Sequence, residues 1–353
     1  MLKRLSIGSF ALLLAIVLAS MSAFGTVSAQ DAAECVSPGL PDGTPTPMED
    51  VGDMDIGSPE AMGDMASPEA MDMGSPEAMD MEPMELPEPP VVPVGEPADE
   101  ETAAAIDAAL SNYAACLSEG WGTNDPALYI ALETENFWMA STGSANPYDR
   151  VMFEMDSPFD SVELIGITDP MVHDDGRVSG DISAVAGNWL IKIRAMLTEV
   201  DGTWLYDEEY FLSPDTSAFE SVSVNGLNIT ETTDEVTGEI TYAFEFLGSP
   251  TIQQTEVLVF NVTNSGEELH EAIVAQLPEG ADPLGLLDGS LGFEEFRFVG
   301  GVFDIFPGQT ADLALVNLEP GTYTLLCFYP GPSGLPHAAD GLIGEFEIVA
   351  SAE

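Results

Sequence analysis

The chain has 353 residues, and 7 Lys and Arg face 62 Asp and Glu for a formal net charge of −55. Its length allows two ordinary domains plus extra segments. The charge argues against nucleic acid and anionic membrane surfaces, which attract basic patches, and leaves a basic partner, a cation or plain solubility.

Residues 1–29 read as an export signal. Lys3 and Arg4 make the positive start, 5–24 is mostly apolar, and Val27, Ser28 and Ala29 fit a small-residue cleavage site. The apolar run is of borderline length for a retained membrane anchor, which is the alternative. On either reading the rest of the chain is expected outside the cytoplasm: secreted, periplasmic or at the cell surface. Residues 30–98 read as a disordered acidic linker, because Pro, Asp, Glu, Gly and Met dominate and no apolar periodicity is sustained. Within it Ser-Pro-Glu-Ala-Met recurs from Ser58, Ser67 and Ser75, a spacing too short for a solenoid unit.

A first folded domain is expected over 99–214. Ile106, Leu110, Tyr113 and Leu117 recur at helical spacing, and Gly120 follows as a stop signal. Asp125 and Pro126 read as the cap and first turn of a short second helix through Leu132. Strands are predicted over 161–168, 177–186, 189–200 and 203–212, with turns at Asp174-Asp175-Gly176 and Asp201-Gly202. Lys192 and Arg194 share one face of the third strand, and a solvent face is favoured for them over an anion pocket. His173 is expected as a solvated turn residue. Helices followed by an antiparallel sheet that closes on Thr203-Trp204-Leu205-Tyr206 resemble the nuclear-transport-factor-2-like, or polyketide-cyclase-like, α+β cone. The resemblance implies helices on a curved sheet, with a small-molecule ligand in the cone or a homodimer.

The second domain is expected over 217–350 as an all-β sandwich, with strands at 221–229, 240–246, 256–261, 270–276, 310–317, 322–327 and 344–349. Three stretches carry a motif. The first is Val259-Phe260-Asn261-Val262-Thr263-Asn264-Ser265-Gly266 followed by His270. The second is Phe306-Pro307-Gly308-Gln309, leading to Pro320-Gly321-Thr322-Tyr323 and Cys327. The third is Pro336-His337-Ala338-Ala339-Asp340-Gly341-Leu342 before a last strand. Together they resemble a cupredoxin, a blue-copper Greek-key sandwich. The resemblance implies copper held by His270, Cys327 and His337, since blue copper takes two imidazoles and a thiolate in a trigonal plane with a weak axial group. The axial position falls on Leu342, which cannot ligate. That change implies either a raised reduction potential or a domain drifting away from copper, and the residues leave both open.

Three cysteines leave one without a partner. One arrangement pairs Cys35 with Cys116 and keeps Cys327 for metal; the other leaves all three as free thiols. The linker methionines are soft donors suited to Cu(I), although a solvated spacer explains them as well. No nucleophile–base pair, acid–base carboxylate pair or phosphate loop stands out, which points away from an enzyme. The expected whole is an exported copper-binding, electron-transfer or copper-handling protein with an unidentified, basic redox partner. Its alternatives are a metal-free interaction protein on a cupredoxin-like scaffold and a small-molecule-binding cone.

Overall fold

Apolar strand runs build most of this fold, some alternating and others, such as 270–275, buried throughout. The computed structural model describes residues 35–38, 88–123, 125–142, 162–234, 236–238, 240–288, 290–292 and 295–351. The expected export signal and the Ser-Pro-Glu-Ala-Met repeats lie outside the described residues. No helix among those described is long and apolar enough to cross a membrane.

The N-terminal part opens with a two-residue strand, β1 (Glu96–Pro97), then α1 (Glu100–Thr123), α2 (Ala127–Ile130) and α3 (Glu135–Thr142). An antiparallel meander follows: β2 (Val162–Val172), β3 (Val178–Ala186), β4 (Trp189–Val200) and β5 (Thr203–Leu212). The fold therefore begins within the segment read as linker, since Glu96 pairs with Val172 and Pro97 with Met171. Ile106, Leu110, Tyr113 and Leu117 are buried, as helical spacing predicts. They lie close on the sheet: a Cβ at Gly180 of β3 would come within 2.9 Å of Leu110 and 3.1 Å of Ile106. Gly120 does not stop α1, which runs on to Thr123. Its missing side chain instead admits α2, because a Cβ there would sit 2.8 Å from the Tyr129 ring and from the Asp125 carbonyl. Asp201 and Gly202 both take positive φ, 52° and 83°, so the β4–β5 turn has the twist a tight hairpin requires.

The remaining strands are β6 (Val222–Thr233), β7 (Ile240–Phe246), β8 (Thr251–Gln253), β9 (Val257–Asn264), β10 (His270–Gln276), β11 (Arg297–Ile305), β12 (Thr310–Val316), β13 (Gly321–Leu326) and β14 (Ile343–Val349). A one-turn helix, α4 (Gly285–Asp288), interrupts the β10–β11 connection. One sheet of nine strands runs β1-β2-β3-β4-β12-β9-β6-β7, with β5 also on β4; the other runs β11-β10-β13-β14-β8. The two parts of the chain thus share a sheet. Where β5 ends opposite Lys192, β12 takes over the β4 edge, with Ala314 opposite Leu190 and Leu315 opposite Trp189. Inward residues of the two sheets interlock around Phe346, whose ring lies 5.1 Å from Phe260 and 5.3 Å from Tyr323. Burying each such side chain contributes about 1.5–3 kcal/mol.

Sequence reading missed β1, β8 and β11. The last is hidden by Gly300 and Gly301, which lower strand propensity. Gly300 is needed for close approach: a Cβ there would lie 2.6 Å from Leu315 and 2.9 Å from Trp189. Two expectations for polar residues are corrected. Lys192 and Arg194 do not form a solvent face, because both turn onto buried Asp181, at 3.2 Å and 2.7 Å. His173 is buried, with Nε2 2.9 Å from Ser179 Oγ, and burial pulls its pKa down. Cys35 and Cys116 form a disulfide, and Asn112 on α1 grips the backbone of Val36 beside it at 2.8 and 3.1 Å.

Candidate metal centre

The three sequence-predicted ligands come from three separate local structures. His270 is the first residue of β10, presented by a turn organised on buried Asn264. The Asn264 side-chain amide donates to the carbonyls of Glu268 and Ile305, both at 2.7 Å, and its oxygen accepts the Gly266 N–H at 2.9 Å. Cys327 follows the last residue of β13. His337 lies in the loop from β13 to β14, which folds back on itself: the His337 N–H donates to the Tyr329 carbonyl and the Ala338 N–H to the Cys327 carbonyl. Gly331 leaves room for the His337 ring, since a Cβ there would lie 2.9 Å from Cδ2.

These paths converge. Cys327 Sγ is 3.4 Å from His337 Nδ1 and 3.8 Å from His270 Nδ1, and one ligand atom from each of the three residues falls within 4.8 Å of the others. All three residues are buried, at 1% exposure or less. His270, Cys327 and His337 therefore form a group able to hold a metal ion. Leu342 is fully buried at the end of the same loop, its N–H donating to the His337 carbonyl.

The far edge of each imidazole meets a carboxylate. His270 Nε2 lies 2.8 Å from Glu231 Oε1, and His337 Nε2 lies 2.7 Å from Glu268 Oε2. A carboxylate only accepts, so each Nε2 carries a proton, and a ring with no second proton turns the lone pair of Nδ1 toward Cys327. Two lone pairs then face one sulfur, and a single S–H serves only one of them. A cation resolves that arrangement, and the donor set of two nitrogens and one soft sulfur suits a borderline-soft transition metal. Burial pushes the Cys327 thiol well up, with the nearby Glu271 charge acting in the same direction and the amides of Glu271 and Tyr329 opposing it. The thiolate thus has little to stabilise it other than a metal. Burial, then the charge of His270, lowers the pKa of His337, with Glu268 opposing. For Glu231 burial acts upward, but hydrogen bonds from His270 and from the amides of Glu267 and Glu268 outweigh it and bring the group down to about 2.

Sequence reasoning missed four residues here. Glu231 and Glu268 cap the rings. The Tyr242 ring lies tilted against the His337 ring, centroids 4.7 Å apart, and its O–H reaches Glu268 at 3.3 Å. Glu271 accepts the Phe328 N–H at 2.7 Å while its other oxygen is buried with no hydrogen-bond partner among the described residues, and burial raises it to about 8. Only the adjacence of Glu268 and Glu271 to His270 could have drawn notice, and among 62 acidic residues that signal is faint.

No family model and no curated protein matches this chain. Among solved structures it is similar to a reduced auracyanin from Roseiflexus castenholzii, at 17% identity over 37% of this chain and 100% of that one, with a TM-score of 0.24. It is likewise similar to auracyanin A, a "blue" copper protein from Chloroflexus aurantiacus, at 14% identity over 37% and 100% of the two chains, with a TM-score of 0.24. A copper nitrite reductase from Nitrosomonas europaea matches at 19% identity over 37% of this chain and 42% of its own, with a TM-score of 0.22.

Proposed function

We propose that this is an exported copper-binding protein whose C-terminal sandwich is a cupredoxin-type module serving electron transfer or copper handling. The observation that carries the reading is the buried convergence of His270 Nδ1, His337 Nδ1 and Cys327 Sγ within 4.8 Å. Copper bound there supplies a one-electron couple. The chain's own part is to hold two nitrogens and a sulfur in fixed relation and to exclude water from them. Buried Leu342, at the position the cupredoxin resemblance gives to the axial group, would offer the metal no donor, which would favour the reduced ion. The α1–β5 part, a helix packed on an antiparallel meander, serves in this reading as a nuclear-transport-factor-2-like cone that binds a small molecule or a second copy. The acidic surface suits a basic redox partner.

The test is copper titration of the purified full-length chain, followed by absorbance and by metal analysis. One copper per chain and an intense thiolate-to-Cu(II) band are expected. Cys327→Ser abolishes the band, and His270→Ala or His337→Ala opens the site to water and alters the spectrum. A folded wild-type chain that retains no copper in either oxidation state, or takes zinc in its place, would overturn the reading in favour of a metal-free scaffold or a zinc site.

A further inference from the structure

The outer edges of the two imidazoles are as closely managed as the inner ones. His270 is 0% and His337 1% exposed, so neither Nε2 reaches solvent. The caps reach them from different places: Glu231 from β6, across the sandwich, and Glu268 from the turn before β10. Glu231 is itself fixed. It accepts the Glu268 N–H at 2.9 Å, and any Cβ at Gly266 would overlap its carboxylate. Its side chain is 9% exposed and that of Glu268 22%. Among the described residues neither carboxylate is paired with a Lys or Arg. The one basic residue after Arg194 is Arg297, and it donates instead to Gln276 and Asn188, at 2.9 and 2.8 Å.

We propose that Glu231 and Glu268 are positioning residues that lock both imidazoles in the Nε2–H tautomer and set the metal's reduction potential by placing two uncompensated negative charges just outside its ligands. This rests on the copper reading given above. The physical argument has two parts. A carboxylate accepting Nε2–H fixes ring orientation and makes Nδ1 a stronger donor, and loss of such an outer partner lowers metal affinity by about 10–100-fold. Two nearby anions also stabilise the doubly charged ion more than the singly charged one, by Coulomb's law, with water screening partly exposed Glu268 more than Glu231. Their effect on the potential is opposite to that of Leu342. The centre is therefore balanced between an axial side that favours reduction and an outer layer that favours oxidation.

The experiment compares Glu231→Gln and Glu268→Gln with Glu245→Gln, which removes the same charge from an exposed position on β7. Cu(II) and Cu(I) dissociation constants and the reduction potential are read on the full chain. Glutamine keeps an acceptor and removes the charge. Each capping variant is expected to lose Cu(II) affinity more than Cu(I) affinity, and a tenfold difference between the two corresponds to a rise of about 59 mV for a one-electron couple. Glu245→Gln is expected to leave both constants unchanged. In the metal-free protein, imidazole 15N shifts report the tautomer: the wild type shows Nε2–H on both rings, while Glu231→Ala and Gly266→Ala show a mixed tautomer at His270. Potentials in the capping variants equal to that of Glu245→Gln overturn the charge effect, and unchanged 15N shifts in Glu231→Ala and Gly266→Ala overturn the positioning. A wild-type chain that binds no copper sinks the copper reading, and the ring nitrogens still decide the positioning.

Discussion

Asp181 and the carboxylates around the metal centre are buried in opposite ways. In the α1–β5 part, Asp181 is 2% exposed and takes Arg194 through both oxygens and Lys192 beside it, while Asp207 takes Arg177. Around the metal centre, among the described residues, Glu231, Glu268 and Glu271 are held by imidazole, amide and phenol donors, with no guanidinium or ammonium among their hydrogen bonds. A charge kept from water persists when it is paired, and breaking the pair is costly. The Asp181 cluster is complete within the polypeptide, while Glu133 in the same half accepts from Tyr113 O–H at 2.7 Å and Trp138 Nε1–H at 3.0 Å. The metal centre instead gathers Glu231 and Glu268 around two imidazoles and a thiol, a group able to take a cation from outside the chain.

The largest expected effect breaks the comparison on the complete side. Asp181→Ala leaves Arg194 without its carboxylate and Lys192 with only exposed Asp169 at 4.0 Å, and is expected to cost about 3–5 kcal/mol of stability in denaturant unfolding. Copper affinity in the same variant should stay within experimental error, because the two sites share no partner. A loss of affinity matching the loss of stability would show that the shared sheet couples them.

Next comes the incomplete side. Copper at a free concentration a hundredfold above its dissociation constant is expected to stabilise the wild type by about 2.7 kcal/mol, and a chelator should remove the gain. Cys327→Ser should show none of it. Stabilisation that survives in Cys327→Ser would place the cation elsewhere on the acidic surface.

Leu342→Met sharpens the same side with little disturbance of packing, since a swap of similar volume usually costs less than about 1.5 kcal/mol. Copper should still bind, and the potential should fall as a thioether becomes available on the axial side. An unchanged potential would mean that residue 342 does not face the metal.

The smallest effect lies with His173. Its pKa in the folded chain is lowered by burial, so protonation favours the unfolded state. The stability it contributes is present above its ordinary value of about 6.5 and is lost as pH falls below it. His173→Gln should flatten that slope, and an identical acid profile in the variant would count against it.

Much of this fold was readable because patterns were local. The bounds of β4, β5, β7 and β10 follow apolar-rich runs closed by Asp-Gly or other turn residues. The metal centre was readable for another reason: histidine and cysteine are scarce here, so three of them beside cupredoxin-like turns stood out. What stayed hidden depended on register across strands. Asp181 meets Arg194 because β3 and β4 pair them directly. Glu231 meets His270 only because β6 and β10 face each other across the sandwich, 39 residues apart in sequence. Acidic residues are also too common for any one of them to draw attention. The glycines of β11 look like a break until Trp189 is placed against them.

The Cys35–Cys116 disulfide gives the repeat-bearing segment a consequence of connectivity. Cys35 is tied to α1, and the chain returns at β1 to pair with β2, so both ends of the segment between them are moored on the same half of the protein. The segment is a closed handle rather than a tether with a free end. A protease cut anywhere within it nicks the handle without releasing a fragment, and the two pieces come apart only when a reductant opens the bond.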